Sequence, residues 1–482
     1  MPDVAPEAAY CYSVAMALAS VPAVADPAVP DLLAARPHLE MHAMDGLTMD
    51  GVPLAAIADA LGTPTWVYSA DTMRARYRRL AGALDGLHAG IHYAVKANDH
   101  LAVLRVFADA GAGADVVSGG EILRALAAGV PAARIVFSGV GKTAAELRLA
   151  LERGVGQINA ESAEELDMLS AAALATGRTA RVALRVNPDV EAGTHEKIST
   201  GRARDKFGIP YADAAALYAR AAAQPGVEPV GLAVHIGSQI MGIAPYRAAF
   251  TRLAELVSAL RAADLRVETV DCGGGLGIGY RDEPGASPEA LAGAIRATLG
   301  QLDLRLAVEP GRWLVGPAGV LLASVVLAKR SGATRFLVLD AAMNDLLRPA
   351  LYDAWHGIVP LSAVDAAGAA EPFDVVGPVC ESGDTLARGR LLPPLAADAR
   401  VAILDAGAYG AVMSSAYNAR PLAAGAMIAG GGWATIRERQ PIEALWQSDL
   451  VPDTLLNGPG RDEAGSGAAA SRAVSGEARR TG

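Results

Sequence analysis

Cysteine is scarce in this chain: only Cys11, Cys272 and Cys380 among 482 residues. They are too few and too scattered for a disulfide framework or a zinc cluster, so no metal site is expected and a reducing, cytoplasmic setting fits best. Positive charge is also in deficit. A formal net charge of −10 argues against nucleic acid or an anionic membrane as partner, while leaving room for a local cationic pocket. Basic residues are missing again ahead of the uncharged, Ala/Val-rich stretch 8–25, where Asp3 and Glu7 stand in place of a secretory signal's Lys or Arg. Pro22 interrupts the same run. Export is therefore rejected, and residues 1–44 are read as a poorly ordered extension, with Met41 as an alternative start. Residues 457–482, rich in Gly, Ala, Ser and Arg, are read as a disordered tail. No repeat of fixed period is present.

What remains is ample. With 52% apolar and 20% charged residues the chain can bury a large core, and its length suits two domains. Residues 52–59 form a short amphipathic helix and 65–68 a strand. Strand-like runs then start near Ile91, Ala114, Arg134, Gln157, Arg181, Val230, Val267 and Arg305, with helical segments such as 144–153, 163–175 and 246–262 between them. Eight alternating units predict an α/β fold with a closed (β/α)8 barrel over 70–315. Beyond Pro317 the texture changes to short β-branched runs punctuated by Gly, Pro and Asp. This predicts a second, mostly antiparallel β-barrel or sandwich domain over 316–456, to which 45–69 also contributes.

The chemically unusual residues fall at strand ends. Lys96, Ser138-Gly139, Asn159, Asn187, His235, Gly273 and Glu309 each lie at or just past the C-terminal end of a predicted strand, the end where barrel active sites assemble. Lys96 closes the apolar run 91–95; desolvation there would lower its pKa and free a nucleophilic lone pair, the alternative being a surface lysine. Gly273-Gly-Gly-Leu-Gly-Ile-Gly279 can close its backbone amides around a phosphate or simply make a tight turn. No Walker pattern or dinucleotide fingerprint accompanies it. Glu309, leaving an apolar strand, needs a cationic partner, either a protonated pyridine nitrogen or an arginine. His235 can stack on a planar cofactor or serve as a hydrogen-bonded core residue. Cys380 can donate a proton or fill space as a small buried hydrophobe.

A lysine, a phosphate cradle, a buried carboxylate and a stacking imidazole are together the parts of a pyridoxal phosphate site. In these residues the chain resembles the diaminopimelate decarboxylases, of the alanine-racemase-type fold shared with the ornithine and arginine decarboxylases. The matching blocks include Tyr93-Ala-Val-Lys96-Ala-Asn98, Gly113-Ala-Asp115-Val-Val-Ser118-Gly-Gly-Glu121, Arg185-Val-Asn-Pro-Asp189, Lys206-Phe-Gly-Ile209, His235-Ile-Gly-Ser238-Gln239, Glu309-Pro310-Gly311-Arg312, Met343-Asn-Asp-Leu-Leu-Arg348-Pro-Ala-Leu-Tyr352, Cys380-Glu381 and Gly407-Ala-Tyr409. They run from about residue 45 to 456; Ala342 stands where the family commonly has glycine.

The resemblance implies that Lys96 attaches pyridoxal 5'-phosphate covalently. It implies that Gly273, Gly274, Gly275, Pro310, Gly311 and the Arg312 backbone hold the phosphate with Ser238 and Tyr409, that His235 stacks on the ring, and that Glu309 keeps the ring nitrogen protonated. Substrate contacts would come from Arg312, Arg348, Tyr352, Glu381 and Tyr409. Arg348 would clamp a second carboxylate and Glu381 take a distal ammonium, which together describe meso-diaminopimelate. Cys380 would act as proton donor in the neighbouring subunit of a homodimer with shared active sites, a Lys206–Asp384 pair joining the subunits. A relative acting on another amino-acid conjugate, or a non-catalytic binding relative, is the alternative.

Overall fold

The computed structural model describes residues 26–191 and 206–452. Residues to Gln440 form one unit. The other, from Pro441, contributes a short turn of 3-10 helix at Ile442–Leu445. Cys11 and the expected tail 457–482 lie outside the described residues.

Eight parallel strands close into a barrel: Ala89–Ala94, Gly113–Val116, Ile135–Phe137, Gln157–Ala160, Ala180–Asn187, Val227–Ala233, Thr269–Asp271 and Arg305–Val308. Each pairs with the next, and Arg305–Val308 returns to Ala89–Ala94 in the register Leu306↔Ala89. A two-residue strand, Ile209–Pro210, adds to Ala180–Asn187. The connecting helices are specified locally. In Ala144–Arg153, Thr143 and Glu146 form a reciprocal capping box, and Gly154 ends the helix at φ 73. Leu147, Ala150 and Leu151 recur at helical spacing and are its buried residues. A side chain such as Leu147, 0% exposed, contributes roughly 2–3 kcal/mol on burial.

The second domain is a mixed sheet built around the long strand Gly319–Ser331. It pairs antiparallel with Thr65–Ser69, Thr334–Leu339 and Arg400–Ile403. Only Glu371–Val376 against Thr334–Leu339 and Ala424–Ala429 against Thr65–Ser69 run parallel among its described ladders. Thr65–Ser69 thus belongs to this sheet although it precedes the barrel in sequence. The backbone bond from Ser69 N–H to the Ala318 carbonyl, 2.8 Å, links the chain's departure from this domain to its return.

Residues 26–44 depart from expectation. Val29–Ala34 is a helix, and Leu39–His42 pairs antiparallel with Gly46–Met49. Met41 therefore lies within a strand. Arg36, buried, pairs with Asp405 and donates to the Tyr280 carbonyl at 2.7 Å. The signal was weak because only Leu39 of that four-residue strand is buried, while Glu40 and His42 face outward.

Candidate active site

The barrel brings Lys96, Ser138, Asn159, Asn187, His235, Gly273 and Glu309 to the C-terminal ends of its strands. Not all of them face the central cavity. Asn159 Nδ2 donates to Ser138 Oγ at 3.1 Å and to Asp271 Oδ2 at 3.2 Å, so this pair braces strand ends. The cavity itself measures about 420 Å³ and contains Lys96, His235, Ser238, Glu309, Gly311 and Arg312 in its lining.

Lys96 sits in a short 3-10 turn, Val95–Ala97, immediately after Ala89–Ala94. Two contacts fix that turn: Ala94 N–H donates to the Pro310 carbonyl at 3.2 Å, and Tyr409 N–H to the Ala97 carbonyl at 2.8 Å. Tyr409 holds a left-handed φ of 55, uncommon for a residue with a Cβ and maintained here at the seam between barrel and β domain. Lys96 Nζ donates to Asp115 Oδ2 at 2.9 Å. Its side chain keeps 34% exposure, on the cavity wall, and so is not a surface lysine. The expected lowering of its pKa is reversed. Burial does pull it down, but the Asp115 and Glu309 carboxylates outweigh burial and raise it above the ordinary lysine value.

Glu309 is 6% exposed, and its Oε1 is buried without a hydrogen-bond partner. Burial, then the carboxylates of Asp115 and Asp271, push its pKa well above the usual carboxylate range, against the pull of Lys96. No arginine pairs with it among the described residues; the nearest cation-capable group is His235 Nδ1 at 4.0 Å. That imidazole is neutral, since burial and the charges of Lys96 and Arg185 hold its pKa well below its usual value. Its Nδ1 accepts from Gly274 N–H at 3.2 Å, which leaves the proton on Nε2. A buried carboxyl oxygen lacking a partner fits the N–H of a protonated pyridine ring, so the residues present suit pyridoxal phosphate.

The glycine run fits the same group. A Cβ on Gly273 would fall on the Val234 carbonyl, and one on Gly275 on the Gly237 carbonyl. Both glycines also hold left-handed φ, 68 and 95. Gly275 and Gly311 line the cavity, whereas Gly273, Gly274 and Pro310 lie behind its wall.

At the other end of the cavity stand two arginines. Arg312 donates to Tyr280 Oη at 2.6 Å and to Ser238 Oγ at 3.2 Å, and its guanidinium lies 4.8 Å from the Tyr409 ring centre. Arg348 is 5% exposed, sits 4.9 Å over the Tyr280 ring and donates to His356 Nε2 at 2.9 Å. Tyr280 thus separates two cations. Tyr352 also lines this end. Together these groups form a cationic recess suited to a carboxylate.

Cys380 and Glu381 are not brought to this cavity. Both are exposed, so Cys380 is not a buried hydrophobe, and its N–H donates to Asn418 Oδ1 at 2.7 Å. Asp384 is 3% exposed and accepts from Met343 N–H at 2.7 Å and Val379 N–H at 2.8 Å, which organises its own loop.

Sequence reasoning gave no role to Asp115, Tyr280 or His356. Asp115 carried a signal, an acidic residue inside the apolar strand Gly113–Val116, and Tyr280 closes the glycine run. His356 carried none.

Comparison with known proteins agrees with this geometry. Residues 70–316 match the pyridoxal binding domain of the pyridoxal-dependent decarboxylases. The chain is 49% identical over 414 residues to the diaminopimelate decarboxylase of Zymomonas mobilis, covering 85% of this chain and 98% of that protein. It is 46% identical to that of Pseudomonas fluorescens over 84% and 98% of the respective chains. Among solved structures, the Helicobacter pylori diaminopimelate decarboxylase complexed with L-lysine superposes with a TM-score of 0.79 at 37% identity, over 82% of this chain and 99% of that one. The match over almost the full length of these relatives, together with the cavity just described, shows that the chain belongs to the diaminopimelate decarboxylase family of pyridoxal-dependent decarboxylases.

Proposed function

We propose that this enzyme removes one carboxylate of meso-diaminopimelate as CO2 and releases L-lysine, the last step of lysine biosynthesis, with pyridoxal phosphate as cofactor. Support comes above all from one observation: a single cavity has a buried carboxyl with one unpartnered oxygen, Glu309 Oε1, near Lys96 at one end and the Arg312–Tyr280–Arg348 group at the other. Bound pyridoxal phosphate supplies the electron sink for the pair left when the Cα–carboxylate bond breaks.

The chain's residues supply the rest. Lys96 would be the attachment point, and Glu309 would hold the ring nitrogen's proton. Neutral His235, fixed by Gly274 N–H, offers its ring face without adding a cation beside the ring nitrogen. Gly275, Gly311 and the Arg312 backbone, with Ser238 and Tyr409, would cradle the phosphate, while Gly273 and Gly274, whose N–H groups are bound to Asp271 and His235, shape the turn behind them. Arg348 holds the distal carboxylate, which fixes the substrate end for end, and Tyr352 borders it.

Cys380 and Glu381, exposed away from their own chain's cavity, act in the neighbouring subunit of a homodimer: the thiol protonates the carbon that has lost CO2, and Glu381 takes the distal ammonium. Among the described residues no helix is long and apolar enough to cross a membrane, and we place the enzyme in the cytoplasm. The test is direct: the purified, cofactor-loaded protein should release one CO2 and form one L-lysine per meso-diaminopimelate consumed. Bound cofactor with no turnover of meso-diaminopimelate would overturn the reading.

A further inference from the structure

His356 takes no part in the chemistry above, yet both of its ring nitrogens are committed. Arg348 Nη1 lies 2.9 Å from Nε2, and the Leu404 carbonyl oxygen 2.8 Å from Nδ1. A carbonyl can only accept and a guanidinium can only donate, so Nδ1 carries the hydrogen and Nε2 presents its lone pair. Only the neutral imidazole in this one tautomer satisfies both. The residue is 1% exposed, and burial with the Arg348 charge keeps its pKa well below the usual range. Its ring meets Tyr280 edge-on, with centroids 5.2 Å apart and planes at 78°. Arg348 is therefore gripped along one edge by His356 and over one face by Tyr280.

The backbone that bears the imidazole is held in turn. Asp26 accepts from the Trp355 indole N–H at 3.0 Å and from Arg281 Nη1 at 3.1 Å, and it pairs with Arg390 Nε at 3.1 Å. The two arginines flank the Trp355 ring, at 4.6 and 4.2 Å from its centroid. Arg390 Nη1 also donates to the His356 carbonyl at 2.5 Å. Residues 355 and 356 are thus fixed through side chain and backbone by a residue from the chain's N-terminal region.

We infer that His356 is a positioning residue for substrate recognition: it aims the Arg348 guanidinium at the distal carboxylate, with the Asp26–Arg281–Arg390 cluster as its support. The inference rests on the reading of Arg348 as the carboxylate clamp. An arginine free to sample its rotamers must be ordered when ligand binds, whereas one already held loses little, so the gain falls on binding.

Atom balance supplies the probes. Decarboxylation replaces one of diaminopimelate's two carboxylates by hydrogen, so L-lysine bound as product keeps the distal carboxylate and cadaverine lacks it. Inhibition constants for L-lysine and cadaverine, with kcat and KM for meso-diaminopimelate, are measured on the wild-type, His356→Leu and His356→Gln holoenzymes. Leucine removes the acceptor, while the glutamine Oε1 can replace Nε2. His356→Leu should raise KM and the L-lysine constant about tenfold, as expected for losing one hydrogen bond to a charged group, and leave kcat and the cadaverine constant within about twofold. His356→Gln should recover most of the loss.

Equal weakening of L-lysine and cadaverine, or no recovery by glutamine, would overturn the inference and leave His356 a support of the fold. Should His356→Leu not fold, Asp26→Asn carries the same comparison, with L-lysine alone weakened, by roughly threefold; equal loss of both ligands is again the refuting result. Arg348→Ala separates the two readings. If it leaves the ratio of L-lysine to cadaverine binding as in wild type, the clamp assignment itself has failed.

Discussion

Replacing Glu309 by glutamine separates the two states of its carboxyl. In the cofactor-free protein, burial and the carboxylates of Asp115 and Asp271 raise its pKa well above 4.5. An acid whose folded pKa is raised contributes stability that is whole below its unfolded value and is lost as pH rises through the folded one. Glutamine does not titrate, so the thermal midpoint of cofactor-free wild type should fall relative to Glu309→Gln as pH rises out of the usual carboxylate range and through the raised folded value. The loaded enzymes should rank the other way in turnover. A ring proton facing Glu309 makes the ionised carboxylate the useful form, and an amide cannot hold that proton in a buried site. Losing one preorganised electrostatic partner costs on the order of 10² in rate, or about 2.7 kcal/mol of barrier. Scanning fluorimetry across pH reads the first effect and CO2 release the second. Turnover within about threefold of wild type, with a pH-independent gap in midpoints, would reduce Glu309 to a structural carboxyl.

Borohydride treatment of the loaded protein, followed by peptide mass mapping, should place the cofactor on Lys96. Label on Lys142 would refute the assignment, although that ammonium is already bound to the Gly139 and Asn159 carbonyls and to Glu165. Arg348→Ala should lose roughly 2–5 kcal/mol in kcat/KM for meso-diaminopimelate, the cost of leaving a buried carboxylate unpaired, while any residual turnover of ornithine changes little; equal losses on both substrates would point to a role in folding. Mixing inactive Lys96→Ala and Cys380→Ala proteins should restore about a quarter of wild-type activity by random re-pairing of a C2 dimer. No recovery after confirmed subunit exchange would place both residues in one chain's site.

The sequence made the barrel legible because its signal is repeated: eight strand starts and the helices between them agree with one another, and Ala144–Arg153 was readable to the residue from its cap and its glycine stop. Short elements such as the half-exposed Leu39–His42 and the buried Ile358–Pro360 offered too few residues for a period to show. Site residues were legible where a polar group interrupts an apolar run, as with Lys96 and Glu309. The direction of the Lys96 pKa was not, because it depends on Asp115 and Glu309, 19 and 213 positions away, being folded against it. His356 shows the same limit: its meaning lies in the 2.9 and 2.8 Å contacts that only the folded chain creates.

The cavity's two ends carry opposite electrostatic character, and this bears on how a substrate with two similar ends is oriented. At the Lys96 end lie Asp115, Glu309 and, behind them, Asp271, so Lys96 is the principal cation a carboxylate would meet there. At the other end Arg312 and Arg348 stand on either side of Tyr280, with Arg281 also in the cavity wall. A diamino diacid gains most by placing one carboxylate among the arginines. Its second carboxylate is thereby left at the acidic end, where no clamp opposes its departure as CO2. The net charge of −10 is no obstacle to this arrangement, because Arg312 and Arg348 are held in place by neutral groups, the Tyr280 hydroxyl and the His356 ring, rather than by carboxylates that would cancel them. Placing an acid there should undo it. Tyr280→Glu would cancel one of the two guanidinium charges beside it, and we expect it to weaken the preference for L-lysine over cadaverine while leaving the Lys96 end able to take up cofactor. A retained preference would mean that the arginines do not set the orientation.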